Sequence, residues 1–355
     1  MAAEPKEVEL TLTPRSRYDA IDVAGRVAET HGDALAAYRR VAYCSFHTTA
    51  GYLEQSLCSR LEHSRARLDP FVGAFRQLFP AGAEYRHDCL DERSELSEES
   101  RKAEPKNGDS HLAFISAGLR NCVTYVNRPG EPVYFVDLDG TNEDVARERR
   151  TRLLAFNHEE VAERVACDVP VSSHPIDSVN LADPRVGVMP LVEELLARHG
   201  VAKGRVDISL AASERDAGVT VNEYETLLMR HDLAEVLADP LRFLARTGRN
   251  ALANPAVFAQ KSWGYAKYDL VQVMNELMDA LRVSSSAVER LLARAMAVPA
   301  RKKLRLKRTV SLLVSDLEDG RGRLVKGTYQ SPILIQWGGA AARRRTLDLT
   351  LTRFS

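Results

Sequence analysis

The sequence lacks a charge imbalance. Its 49 Lys and Arg residues are matched by 49 Asp and Glu, for a formal net charge of +0. No global field would therefore gather nucleic acid or an anionic membrane, although a local basic patch is still allowed. It also lacks any run near the roughly 18 apolar residues of a membrane span, and its opening Met1-Ala2-Ala3-Glu4-Pro5-Lys6-Glu7 has no apolar signal-peptide core. A cytoplasmic protein with no membrane and no nucleic-acid partner is expected. The five cysteines, Cys44, Cys58, Cys89, Cys122 and Cys167, are odd in number and contain no Cys-x-x-Cys, which argues against a disulfide framework or a zinc knuckle and for buried thiols. What is present is ordinary globular material, 45% hydrophobic and 28% charged. At 355 residues there is enough of it for two domains with cores of their own.

The strongest positive feature is an internal repeat. Val8-Glu9-Leu10-Thr11-Leu12 leads to a helical run ending at His31-Gly32 and then to the strand Arg40-Val41-Ala42-Tyr43-Cys44-Ser45-Phe46. Later, residues 169–179 lead to a helical run at 190–197 ending at His199-Gly200, and then to Arg205-Val206-Asp207-Ile208-Ser209-Leu210. A repeat fixes architecture before any single residue is interpreted. Short alternating strands around a few helices predict an α+β fold with mixed or antiparallel sheets in two domains, 1–157 and 158–355, the second enlarged by a helical insertion at about 224–300.

Within that frame, residues 123–126 and 133–136 predict a hairpin across Asn127-Arg128-Pro129-Gly130. Residues 53–79 predict a helix broken or kinked at Pro70. The acidic, polar stretch 91–109 predicts a mobile loop or lid beside a site, since it has almost nothing apolar to bury. In the insertion, 270–278 and 288–296 have helical periodicity and predict core helices. The run Arg301-Lys302-Lys303-Leu304-Arg305-Leu306-Lys307-Arg308 reads as a solvated strand edge.

Three motifs in the first block, His47-Thr48-Thr49-Ala50, Tyr85-Arg86-His87-Asp88 and Ser110-His111-Leu112, resemble in kind and order those of the YjbQ family, also described as secondary thiamine-phosphate synthases. Asp139-Gly140 and the arginines at 149–152 stand where that family has its acidic-glycine element and closing strand. The second block resembles it through Val219-Thr220-Val221-Asn222-Glu223, Met229-Arg230-His231-Asp232-Leu233, Gly322-Arg323-Leu324-Val325-Lys326-Gly327-Thr328-Tyr329-Gln330 and Arg343-Arg344-Arg345. The losses are complementary. In the first block Gln55-Ser56 replaces Asn-Glu and the Gly-x-Trp-Gln motif is missing; in the second, the histidine position falls near Glu214, and Tyr265-Ala266-Lys267-Tyr268-Asp269 is the nearest remnant of Tyr-x-His.

The resemblance implies a tandem duplication and a metal-assisted enzyme, a transferase acting on a small, phosphorylated heterocycle in the manner of a thiamine-phosphate synthase and specialised to secondary metabolism. His47, His87 and His111 would hold a divalent metal, zinc or a similar ion, because three imidazoles leave a coordination position open for water or substrate. Asp88 could orient one ring, and Cys89 could replace one as ligand. Asn222, Glu223, Tyr329 and Gln330 would supply hydrogen bonds and acid–base groups from the opposite block, forming one composite site. Arg149, Arg152, Arg343 and Arg345, with Arg150 and Arg344, offer forked donors for phosphate. The family's trimers imply a homo-oligomer. The alternative is a non-catalytic phosphate-ligand-binding or scaffold protein left by a duplicated enzyme, in which Asn222 and Glu223 cap a helix.

Overall fold

The computed structural model describes residues 4–142, 145–238, 306–316 and 320–355. The periodic runs at 270–278 and 288–296, the 265–269 remnant and positions 301–305 of the basic run lie outside the described residues. The chain forms two compact units: Met1–Arg65, Leu119–Tyr224 and Lys307–Ser355 in the first, Ala66–Gly118 and Glu225–Leu306 in the second. Among the described residues the first unit holds the strands of both repeats, and the second holds helical segments within 65–117 and 228–238.

The first repeat runs β1 (Lys6–Leu12), β2 (Asp19–Asp22), α1 (Val23–His31), β3 (Arg40–Ser45), β4 (Ala50–Gly51), α2 (Gln55–Arg60), α3 (Arg65–Leu78), α4 (Glu98–Ala103), α5 (Gly108–Ala117), β5 (Cys122–Val126), β6 (Tyr134–Asp137), the small pair β7 (Thr141–Asn142) and β8 (Val145–Ala146), and β9 (Arg149–Phe156). The second runs β10 (Glu159–Pro170), β11 (Ile176–Asn180), α6 (Val188–His199), β12 (Gly204–Leu210), β13 (Ala217–Asn222), α7 (Leu233–Ala238), β14 (Thr309–Ser315), β15 (Arg323–Val325), β16 (Ser331–Trp337) and β17 (Arg344–Phe354). Both α1 and α6 end on a glycine with φ near 57° and 56°, Gly32 and Gly200, a conformation that is cheap only without a side chain.

Sheet order repeats with the sequence. The antiparallel sheet β1-β9-β3-β5 of the first repeat corresponds to β10-β17-β12-β14-β15 of the second, and β2-β6-β4 to β11-β16-β13. The register is informative. Ala50 lies opposite Asp137 and Gly51 opposite Val136, while Ala217 lies opposite Gln336 and Gly218 opposite Ile335. Ala50-Gly51 is thus the counterpart of Ala217-Gly218, and Asp137 of Gln336. Counting back equally from each pair puts His47 where the second repeat has Glu214.

The two large sheets meet in one apolar layer. Ala42, Cys44, Cys122, Leu154 and Phe156 face Leu313, Val325 and Phe354, all nearly or fully buried, and the Phe156 and Phe354 rings stack with centroids 3.7 Å apart. Fully burying side chains of this size contributes roughly 1.5–3 kcal/mol each, so this layer is what joins the repeats. Behind the second sheet α6 supplies Val188, Val192, Leu195 and Leu196 to a separate core with Val206, Ile208, Leu347, Leu349 and Leu351.

The α+β class with antiparallel sheets is as expected, and several local readings are corrected. No hairpin forms at 123–136: β5 pairs with β3, whereas β6 pairs with β2 and β4 in the other sheet. The connecting segment is held by α1 and β2 instead, with Val23 N donating to Val133 O and Val133 N to Asp22 Oδ1. Turn chemistry at 127–130 promised a tight reversal, but these contacts carry the chain to another sheet. The helical run at 53–79 breaks at Glu62-His63, both at positive φ, and Pro70 sits inside α3. The stretch 91–109 is not structureless. It contains the six-residue α4, capped by Ser97, and is organised around Arg93, which is 2% exposed and paired with Glu95 and Glu104. Buried arginine with two carboxylates substitutes there for the apolar core the composition lacks. Strand β10 was not anticipated, because its mostly exposed, charged pattern hides the alternation. Among the described residues no helix is long and apolar enough to cross a membrane.

Candidate functional site

Strand β3 ends at Ser45, and the chain turns sharply through His47 into β4. Ser45 Oγ closes this turn by donating to Ala50 O at 2.6 Å and accepting from His47 N at 3.2 Å. The turn exposes carbonyls that need donors, and most come from the second repeat. Gln330 Nε2 donates to Ser45 O at 2.9 Å and to His47 O at 2.8 Å, Asn222 Nδ2 donates to Thr48 O at 2.9 Å, and Asn121 also reaches His47 O. Gln330 is itself fixed, since its Oε1 accepts from Gly327 N at 2.8 Å. Gly327 is required: a Cβ there would lie 1.8 Å from Phe46 O. His47, Asn222 and Gln330 are therefore brought together, but the two amides hold the backbone under His47. Tyr329 is 68% exposed and Glu223 half-buried.

The His47 ring lies against the start of β9. Its Nε2 accepts from Arg150 N at 2.8 Å, and its Nδ1 lies 3.5 Å from Nη1 of Arg149. Burial, then the guanidinium groups of Arg149, Arg147 and Arg150, push His47 down to about 3, so the imidazole is neutral at ordinary pH. A neutral imidazole whose Nε2 is an acceptor carries its proton on Nδ1. Two donors, Nδ1–H and Nη1 of Arg149, therefore stand side by side without an acceptor for this pair. Arg149 is 3% exposed and held by Asp137 through Nε at 2.7 Å and Nη2 at 3.1 Å, with Nη2 also donating to Asp139 O; Arg147 pairs with Asp139. Burial pushes the Asp137 carboxyl up against the pull of Arg149.

The second repeat has the same frame with different chemistry. Arg345, the counterpart of Arg149, reaches Gln336 Oε1 at 3.4 Å and Gly338 O at 2.6 Å, the counterparts of Asp137 and Asp139. Glu214 stands where His47 stands. Its Oε2 accepts from Arg345 Nη1 at 2.8 Å and its Oε1 from Thr346 N at 2.8 Å. Of the other expected phosphate ligands, Arg152 is taken by Glu7 and Glu9, and Arg343 is exposed with φ 54°. Asp137 and Arg147 were missed as site residues, and Asp139 was legible only as part of the acidic-glycine element Asp139-Gly140.

In the second unit, His87 and His111 are buried with ring centroids 5.0 Å apart, edge to face. His87 Nδ1 faces Glu225 Oε2 at 3.1 Å, and its Nε2 faces Asn107 Oδ1 at 3.1 Å. The backbone N–H groups of Arg86 and His87 donate to Asp232 at 2.9 Å each, and Asp88 Oδ1 accepts from Gly108 N at 2.9 Å. Asp232 closes a five-residue π-helical turn, Leu228–Asp232, a wide-turn irregularity often found at functional sites. Burial pushes Glu225 up, but hydrogen bonds from His87 and the N–H groups of Leu227 and Leu228 outweigh it and hold the carboxyl low; for Asp232 burial wins and the carboxyl is raised. Glu225 and Asn107 carried no motif, and only the fold reveals them.

The expected metal does not fit these residues. Neither ring nitrogen of His87 presents a free lone pair, and His47 sits among cationic groups that repel a second cation. Among the described residues no group of three or more His, Cys, Asp or Glu side chains is placed to hold a metal ion.

No protein-family model matches the chain, and no curated protein matches it. It is similar to solved structures. A YbjQ-like protein of unknown function from Sulfolobus solfataricus has 18% identity and a TM-score of 0.29, with 55% of this chain and 99% of that one covered. A hypothetical protein from Aeropyrum pernix has 20% identity and a TM-score of 0.28, with 53% and 97% covered. An uncharacterized conserved protein of the yjbq/upf0047 family from Clostridium acetobutylicum has 13% identity and a TM-score of 0.25, with 53% and 98% covered. At this level of likeness, function has to be read from the residues themselves.

Proposed function

We propose that the chain is a duplicated YjbQ-like protein with one working site per chain, which binds a small phosphorylated or otherwise oxyanionic molecule at the His47 turn. One observation carries this reading. His47 Nδ1–H and Arg149 Nη1 are two donors 3.5 Å apart, close enough for one acceptor lying beside both to take a hydrogen bond from each. Arg147 and Arg150 add positive charge nearby, while Asp137 and Asp139 lock the guanidinium groups in place and moderate the field. The Asn222 and Gln330 amides from the second repeat set the height of the imidazole, so both repeats build one site. A phosphoryl-bearing heterocycle, as the YjbQ motifs suggest, would present a suitable oxygen.

The test is calorimetric titration with inorganic phosphate, using chloride at matched ionic strength as control. Saturable binding of one phosphate per chain, weakened at least tenfold in His47→Asn, is expected. Equal affinity in His47→Asn, or no saturable binding, overturns the reading.

A further inference from the structure

We infer that the second repeat carries an oxyanion site of the same build, whose ligand is the chain's own Glu214 carboxylate. This rests on the reading of the His47 turn as a ligand site and deepens it, because it names the chemistry of the missing group: a planar or tetrahedral oxyanion that bridges a guanidinium and its neighbours at the start of the last strand.

The correspondence holds at two donors, although Nη1 of Arg345 also donates to Arg215 O at 2.6 Å. In the second repeat, one carboxylate oxygen takes the N–H of Thr346 at 2.8 Å and the other takes Nη1 of Arg345 at 2.8 Å. In the first, His47 takes the N–H of Arg150, the counterpart of Thr346, at 2.8 Å but can only offer a second donor to Nη1 of Arg149 at 3.5 Å. A carboxylate has lone pairs for both donors; a neutral imidazole has one. Replacing His by Glu at this position converts an open donor pair into a satisfied one. The surroundings follow the change. Where the first repeat places Asp137, which neutralises Arg149 from behind, the second has uncharged Gln336, so Arg345 has Glu214 as its carboxylate partner at 2.8 Å. Arg345 is 3% exposed, and a buried guanidinium without a carboxylate would be costly. The second site is thus filled by a built-in ligand, and the first is the same cradle with that ligand left to come from solution.

Chemical rescue tests this. In Glu214→Ala, sodium acetate should raise Tm by several degrees, saturably, beyond sodium chloride at equal ionic strength, and by clearly more than it raises the Tm of wild type, in which only the His47 cradle is open; inorganic phosphate run in parallel shows whether the cradle takes a planar or a tetrahedral oxyanion. An acetate-independent Tm in Glu214→Ala, or the same acetate shift in wild type, overturns the inference. Should that variant fail to fold, Glu214→His keeps the test alive, because the first repeat already accommodates histidine in this frame. Phosphate stoichiometry should then rise from one to two per chain. If wild type binds one and Glu214→His still binds one, this inference fails while the His47 site stands; if wild type binds none and Glu214→His binds one, the reverse holds.

Discussion

The two repeats present the same strand register and buried arginine, and differ in how that arginine is neutralised. The first holds Arg149 from behind with Asp137 and leaves its outer face to a neutral histidine; the second has Gln336 behind Arg345 and closes the front with Glu214. Two exchanges separate the proposed open cradle from the closed one, His47 for Glu214 at the turn and Asp137 for Gln336 behind the arginine. Duplication explains how this is tolerated. Asn222, Gly327 and Gln330 of the second repeat support the first repeat's turn. Gln55, which stands where the second repeat has Asn222, has turned to the backbone of Val126. Each half keeps what the single open site needs.

The comparison is most severely broken by removing its common element. Arg149→Ala strands Asp137, which is fully buried, and should cost on the order of 3–5 kcal/mol in urea unfolding. Arg345→Ala should cost less, since Glu214 keeps 14% exposure and can be hydrated. Equal losses would mean that the aspartate behind Arg149 is not the distinguishing feature. Gly327→Ala comes next: the added carbon meets Phe46 O, and displacement of the turn should cost roughly 1–3 kcal/mol and weaken phosphate binding together. A stability loss without a binding change would separate the support from the site.

His47→Glu sharpens the comparison by copying the second repeat into the first. Phosphate affinity should fall at least tenfold, about 1.4 kcal/mol, with the fold intact or stabilised. Retained phosphate binding would show that the donor pair is not the binding element. The smallest effect is in pH dependence. The unfolded chain protonates His47 near 6.5 and the folded chain near 3, so between those values unfolding takes up a proton and stability falls as pH falls. The urea midpoint of wild type should therefore drop from pH 7 to pH 5 more steeply than that of His47→Gln, and parallel curves would contradict a buried neutral imidazole. Because His47 is partly accessible, the difference is expected to be modest.

Much of this was written in local pattern. The repeat was visible because helix ends at His31-Gly32 and His199-Gly200 and the strands that follow obey short-range rules that survive divergence. The importance of His47, Asn222 and Gln330 was legible as motif, and so was the displacement of histidine by Glu214. The roles were not. Asn222 and Gln330 read as catalytic amides, yet they serve as backbone donors, because nothing in the sequence says which carbonyls of a turn 174 or 283 residues away lack partners. Arg152 reads as a phosphate ligand until Glu7 and Glu9 on the neighbouring strand claim it.

The sequence by itself determined the α+β class, the duplication and the positions where chemistry is concentrated, since these follow from periodicity, caps and turn residues acting over a few neighbours. Only the tertiary structure decided that β5 and β6 enter different sheets, that Arg149 and Arg345 are equivalent, and that one turn presents a donor pair while the other presents a satisfied ion pair. Those outcomes depend on strand register and on which charges share a buried volume, and both are set by contacts between residues far apart in the chain.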